Sequence, residues 1–131
     1  MKHLLPEEWS RPKGYSNGIS VPGGRTIYVA GLVGWNKSEV FESDKMTDQF
    51  RTTLENIVAV LAADDAGPEH VVRMTWYITD KAEYLSNLKE MGAIYRDGMG
   101  KNYPAMACVE VSALMEDRAK IEIETTAVIE E

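Results

Sequence analysis

Apolar residues recur at helical spacing along one window of the chain, Met46 to Ala63, "MTDQFRTTLENIVAVLAA". They fall at Met46, Phe50, Leu54, Ile57, Val58 and Leu61, which predicts a helix with one buried face. "DDAGPEH" ends it with Gly and Pro. Other windows change period. "GGRTIYVAGLVGW" opens on a Gly-Gly turn and runs into a β-rich strand, Thr26 to Val33, with "GISVPGG" as its predicted hairpin partner. "HVVRMTWYITD" is β-branched and aromatic and reads as a strand. Its Asp80 is placed to cap the next helix, "KAEYLSNLKEMGAIYRDGMG". In that helix Tyr84, Leu88, Met91 and Tyr95 form a stripe, which reads as core packing in preference to a binding face.

The chain closes on "YPAMACVEVSALMEDRAKIEIETTAV", two strands joined by a charged loop. The order β-β-α-β-α-β-β predicts an α+β fold, two helices covering one face of one sheet, in a single domain over residues 1–131. Val109, Val111, Ile121 and Ile123 alternate with Glu110, Glu122 and Glu124. On this reading one sheet face is too apolar for water, and no third helix covers it. A second copy of the chain would cover it, leaving a crevice between subunits as a place for a ligand. Glu122 would then face the inside of the fold, beside Cys108 and Met106.

Composition narrows the chemistry. The 131 residues carry a net charge of −7, which disfavours binding to a phosphate backbone. The densest basic spot, "RPK" at Arg11 to Lys13, reads as a solvated loop. One cysteine, Cys108, excludes an intrachain disulfide and a multi-cysteine metal site, and His3 and His70 have no ligand spacing. No run approaches the roughly 18 apolar residues of a membrane span. "MKHLLPEEWSRPKG" has too short an apolar stretch for a secretory signal, so the expected compartment is the cytoplasm.

"YPAMACVEVSAL…KIEIETTAV" resembles the signature of the reactive-intermediate deaminase family, RidA or YjgF. "GYSNGI", "IYVAGLVGWN" and "LENIVAVLAADDAGPEHVVRMTWYITD" extend the resemblance over nearly the whole chain. It implies a chorismate-mutase-like fold and a homotrimer with a cleft at each subunit interface. It further implies hydrolysis of enamines and imines to a ketone and ammonia, without metal or organic cofactor. Some members carry the description endoribonuclease.

Carried over position by position, Tyr15 matches the family's pocket tyrosine, Cys108 its pocket cysteine and Glu122 the carboxylate that orients or activates water. Two positions depart. The family's deaminases have an arginine two residues before the cysteine, where this chain has Met106, and a serine before the strand glycine Gly31, where it has Ala30. A guanidinium grips a carboxylate through two charge-assisted hydrogen bonds, and methionine offers no donor. The pocket is therefore expected to take an enamine or imine without a free α-carboxylate. Trp35 is expected near the pocket mouth, stacked on a flat ligand, or else as a surface-packing or interface tryptophan. Cys108 lacks a histidine base and reads as pocket packing more than as a nucleophile. Glu122 and Tyr15 are the candidate catalytic residues, each with a purely structural alternative, and Met106, Cys108, Trp35, Ala30 and Gly31 are the candidate substrate contacts. The competing function is a non-catalytic ligand-binding or regulatory trimer. Ribonuclease activity fits least, because no histidine pair is placed for acid–base cleavage.

Overall fold

A computed structural model describes residues 1–131. The strands are β1 (Lys2–Leu4), β2 (Gly18–Ser20), β3 (Arg25–Val33), β4 (Val71–Ile78), β5 (Ala105–Glu110) and β6 (Ile121–Ile129). The helices are α1 (Met46–Ala62), α2 (Lys81–Ser86) and α3 (Leu88–Met99), and a 3-10 turn spans Pro68–His70. The main sheet has the order β3-β6-β4-β5. β6 runs antiparallel to both neighbours, and β4 and β5 are parallel, joined through α2 and α3.

This is the expected α+β architecture, with three differences. "GISVPGG" does not form a hairpin with β3. Its Gly18–Ser20 pairs antiparallel with the N-terminal Lys2–Leu4, forming a separate two-stranded ribbon. The predicted second helix is broken at Asn87, whose backbone leaves the helical region (φ −122°, ψ 19°) while its side chain donates to the Glu83 carbonyl. That local bond competes with the helical pattern. The expected Asp80 cap is present, accepting from the Glu83 N–H at 3.0 Å.

The third difference concerns the sheet faces. Met74, Trp76 and Ile78 of β4 share a face with Ile121, Ile123 and Ala127 of β6, and this face packs under α1 and α3. All six are buried. On β5 the register puts Met106, Cys108 and Glu110 on that same side. The other face carries Arg73, Thr75 and Tyr77, with Glu122, Glu124 and Thr126 beside them. It adds Tyr28, which is 81% exposed, and Val109. The uncovered face is thus mixed in polarity, and the closing isoleucines belong to the covered one. The expected apolar open face is corrected, and the argument for oligomerisation built on it falls away.

Two polar brackets fix the helices to the loops. Gln49, buried in α1, donates through Nε2 to the carbonyls of Ser43 and Arg118 and accepts from the Lys120 N–H. Glu83 accepts from the Met46 N–H at the start of α1 and pairs with Lys120 Nζ at 2.8 Å. Where β3 leaves the sheet, Gly34 passes so close to the Gln49 main chain that a Cβ would strike it. Gln49→Leu keeps the size of the side chain but strands a buried N–H and two carbonyls. It should cost about 2–4 kcal/mol, read as a lower midpoint in urea. An unchanged midpoint would mean that the bracket contributes nothing to stability.

Candidate functional site

A cleft of about 460 Å³ opens on the helix side of the sheet, between α3, the edge strand β5 and the segment Lys13–Tyr15. Its position follows from the chain order. β5 is an edge strand, so its helix-facing residues Met106 and Cys108 are only partly covered. The segment before β2 is tied to this edge. Ser16 bridges to Ala105, its N–H donates to the Pro104 carbonyl at 2.9 Å, and its hydroxyl donates to the Tyr103 carbonyl. His3 of β1 holds the same hydroxyl at 2.8 Å. Tyr15 is thereby set at the rim.

The cleft wall is the stripe read from the sequence as core. Tyr84, Leu88, Met91 and Tyr95 all line it. Met91 and Tyr95 are buried as expected, whereas Leu88 is half-exposed and Tyr84 half-buried. The stripe thus lies partly in the core and partly on the cleft wall. An aromatic row runs from the core to the cleft: Phe50 to Trp76 at 4.8 Å, Trp76 to Tyr95 at 6.1 Å, and Tyr95 stacked on Tyr103 at 5.6 Å. Trp76 is 5% exposed and its Nε1–H has no acceptor. An orphaned buried donor costs about 1–3 kcal/mol.

The electrostatics of the cleft disfavour ionised side chains at its floor. Burial pushes the Tyr84 phenol up to about 12, and the adjacent Cys108 adds to the shift. Burial likewise pushes the Cys108 thiol up, partly offset by a hydrogen bond from Tyr84. Burial also raises Tyr95, whose hydroxyl donates to the Asn102 carbonyl at 2.7 Å. Burial thus disfavours the Cys108 thiolate.

The remaining candidates lie elsewhere. Glu122 sits on the uncovered face, in register with Val33 and Tyr77, half-buried against Gly31. A Cβ at Gly31 would stand 2.5 Å from Glu122 Oε2, so only glycine admits the carboxylate there. Ala30 and Gly31 form a bulge between the pairs Val29–Thr125 and Leu32–Ile123. Next to them Tyr77 donates to Glu124 at 2.7 Å, which raises the phenol, with burial and the Glu124 and Glu122 charges adding to it. Trp35 is not at the cleft mouth. It packs on Phe41 at 5.6 Å, beside Val33, Ala119 and Leu114, and its carbonyl accepts from Asn56. One chain therefore gathers Tyr15, Met106 and Cys108 in the cleft and places Glu122, Gly31 and Ala30 across the sheet. Within one chain, then, Glu122 does not stand beside Cys108 and Met106.

Comparison with known proteins fits this geometry. Residues 8–129 match the family described as Endoribonuclease L-PSP. The chain belongs to the RidA (YjgF) family. Its relatives include the RutC family protein UK114 of Drosophila melanogaster, 34% identical over 79% of this chain and 72% of that protein. The human 2-iminobutanoate/2-iminopropanoate deaminase is 29% identical over 87% of this chain and 79% of its own length. The crystal structure of YyfB, a Rid-family protein from Yersinia pestis, superposes with a TM-score of 0.86 at 29% identity, covering 98% of both chains. The fold is thus the chorismate-mutase-like fold of RidA proteins. Separately, no helix is long and apolar enough to cross a membrane.

Alkylation of Cys108 by iodoacetamide, followed against pH, should give a midpoint above the roughly 8.5 of a free thiol, because burial penalises the thiolate. A midpoint well below that value would instead reveal an activated nucleophile.

Proposed function

We propose that the protein is a hydrolytic deaminase of reactive enamines or imines, acting on substrates without a free α-carboxylate. The observation that carries this reading is the cleft itself. It holds the family's tyrosine and cysteine positions, Tyr15 and Cys108, with Met106 where the deaminases have arginine. Methionine presents a polarisable apolar wall and no hydrogen-bond donor. A desolvated carboxylate left without a partner there costs roughly 2–5 kcal/mol, which disfavours a substrate carrying one at that point.

The chemistry needs a proton carrier and water. Protonation of an enamine at carbon, by a proton from solvent, gives the iminium ion. Water adds to the iminium carbon and loses a proton, and the carbinolamine, protonated on nitrogen, expels ammonia and returns its hydroxyl proton to solvent to leave the ketone. Glu122 takes the proton from water and returns it to the departing nitrogen. Tyr15 positions the substrate through its hydroxyl. Gly31 gives the Glu122 carboxylate its place.

Glu122 and the cleft lie on opposite faces of the sheet in one chain, so this reading requires a second copy. In the homotrimer that the family resemblance implies, the cleft of one subunit meets the uncovered face of its neighbour. Such an interface brings the Glu122 of one chain to the Tyr15 and Cys108 of another. A non-catalytic ligand-binding trimer is the second reading, and Met106 is what favours it.

Ammonia release separates the two. A neutral enamine ester should turn over faster than the matched free acid, and Glu122→Gln should abolish the enzymatic rate. Gly31→Ala, which displaces the same carboxylate while leaving the fold intact, should lose activity to a similar degree. No turnover of either substrate above buffer would favour the binding protein, and turnover unaffected by Glu122→Gln would remove this carboxylate from the mechanism.

A further inference from the structure

The cleft has a charge pattern that enamine hydrolysis does not use. Its lining contains two cations, Lys13 and Arg96, and no carboxylate. A depression beside it shares Gly14, Tyr15 and Tyr103 with the cleft and adds Arg11 and Lys101, again with no carboxylate. The chain as a whole carries −7. The ion pairs of the chain engage the N-terminus, Arg25, Arg51, His70, Arg118 and Lys120. Lys13, Arg96, Arg11 and Lys101 take no part in them. Two of these cations line the cleft and two line the depression beside it. The "RPK" spot, read from the sequence as a solvated loop, supplies two of them. Arg96 projects from α3 over Gly92, where the absent side chain leaves its guanidinium room: a Cβ at Gly92 would stand 3.4 Å from Nη1.

A second observation comes from the floor. Trp76, which lines the cleft, keeps a buried indole N–H without an acceptor. Around it the lining is aromatic and apolar, from Tyr95 and Tyr103 to Met91 and Met106. A flat ligand finds rings to pack on and cations at the rim.

We propose that the substrate of this cleft is a planar, largely apolar molecule with an anionic group remote from its reacting carbon, held at the rim by Arg96 and Lys13. This rests on the reading of the cleft as the substrate site, and it specifies the substrate class. The anion is moved from the α position, where Met106 offers nothing, to the far end of the molecule. The rim cations also concentrate anions at the opening, an effect that salt screens.

Binding, measured without turnover, tests this. The probes are 6-hydroxy-2-naphthoate and its neutral amide, titrated calorimetrically into the full chain at low salt. The anion should bind about tenfold more tightly than the amide, an advantage that shrinks in salt. Arg96→Gln and Lys13→Gln, both at exposed positions, should each weaken the anion about fivefold and leave the amide unchanged. Trp76→Phe, which keeps a ring in the core, should weaken both probes. The proposal is overturned if the amide binds as tightly as the anion, if neither rim variant changes the affinity of the anion, or if neither probe binds. Because no reaction is followed, an inactive enzyme would leave this result standing, and equal affinities would leave the deaminase reading intact.

Discussion

A single layer of helices over a four-stranded sheet imposes a period-two division on everything the sheet carries. Met74, Trp76 and Ile78 of β4 and Ile121, Ile123 and Ala127 of β6 are committed to the helix side. Each large apolar side chain so buried contributes about 1.5–3 kcal/mol. A slip of one residue would turn them all outward, so the register is firmly held. The same register decides where the chemistry lies. Cys108 is paired with Trp76 and faces the helices, and Glu122 is paired with Tyr77 and faces away. No rearrangement of side chains within one chain can bring them together.

The cleft depends on a weaker set of contacts. β5 is an edge strand, and the segment that carries Lys13 and Tyr15 is held to it by Ser16 through the Tyr103 and Pro104 carbonyls. These are a few hydrogen bonds of about 1 kcal/mol each, a rim that can yield while the core does not. The opposite end is tightened by Gln49 and Glu83, which bind α1 to the loop before β6 and so set where β6 begins. The two ends divide the work. The bracketed end sets where β6 begins, and the edge end is held by few contacts.

The elements legible in the sequence were those whose pattern had one dominant cause. The six-residue stripe of α1 is a burial signal, and five of its members are fully buried. The β1–β2 ribbon was illegible because three-residue strands carry no measurable alternation, and Lys2 pairs with Ser20 across a long loop. On β5 the larger hydrophobicity of Val109 hid the true inner face. Glu110 occupies an inner position, and its carboxylate is satisfied by the Lys81 N–H at the start of α2. Tyr15, Met106 and Cys108, pocket positions by the family resemblance, line one cleft. Trp35 packs on Phe41, the surface-packing alternative, and an aromatic after a strand glycine looks the same in sequence whether it packs locally or lines a pocket. Arg96, Lys13 and Trp76 were missed, since their significance lies in partners they lack, and missing partners leave no sequence pattern.

We propose that the working site joins the cleft of one chain to the Glu122 of another. Ammonia release by mixed assemblies of Tyr15→Phe and Glu122→Gln chains tests it most directly. Each variant alone destroys one half of every site. In randomly mixed trimers about a quarter of the sites would take both intact halves from different chains, so the mixture should recover about a quarter of the unmodified rate. A mixture no more active than its components would contradict a shared site.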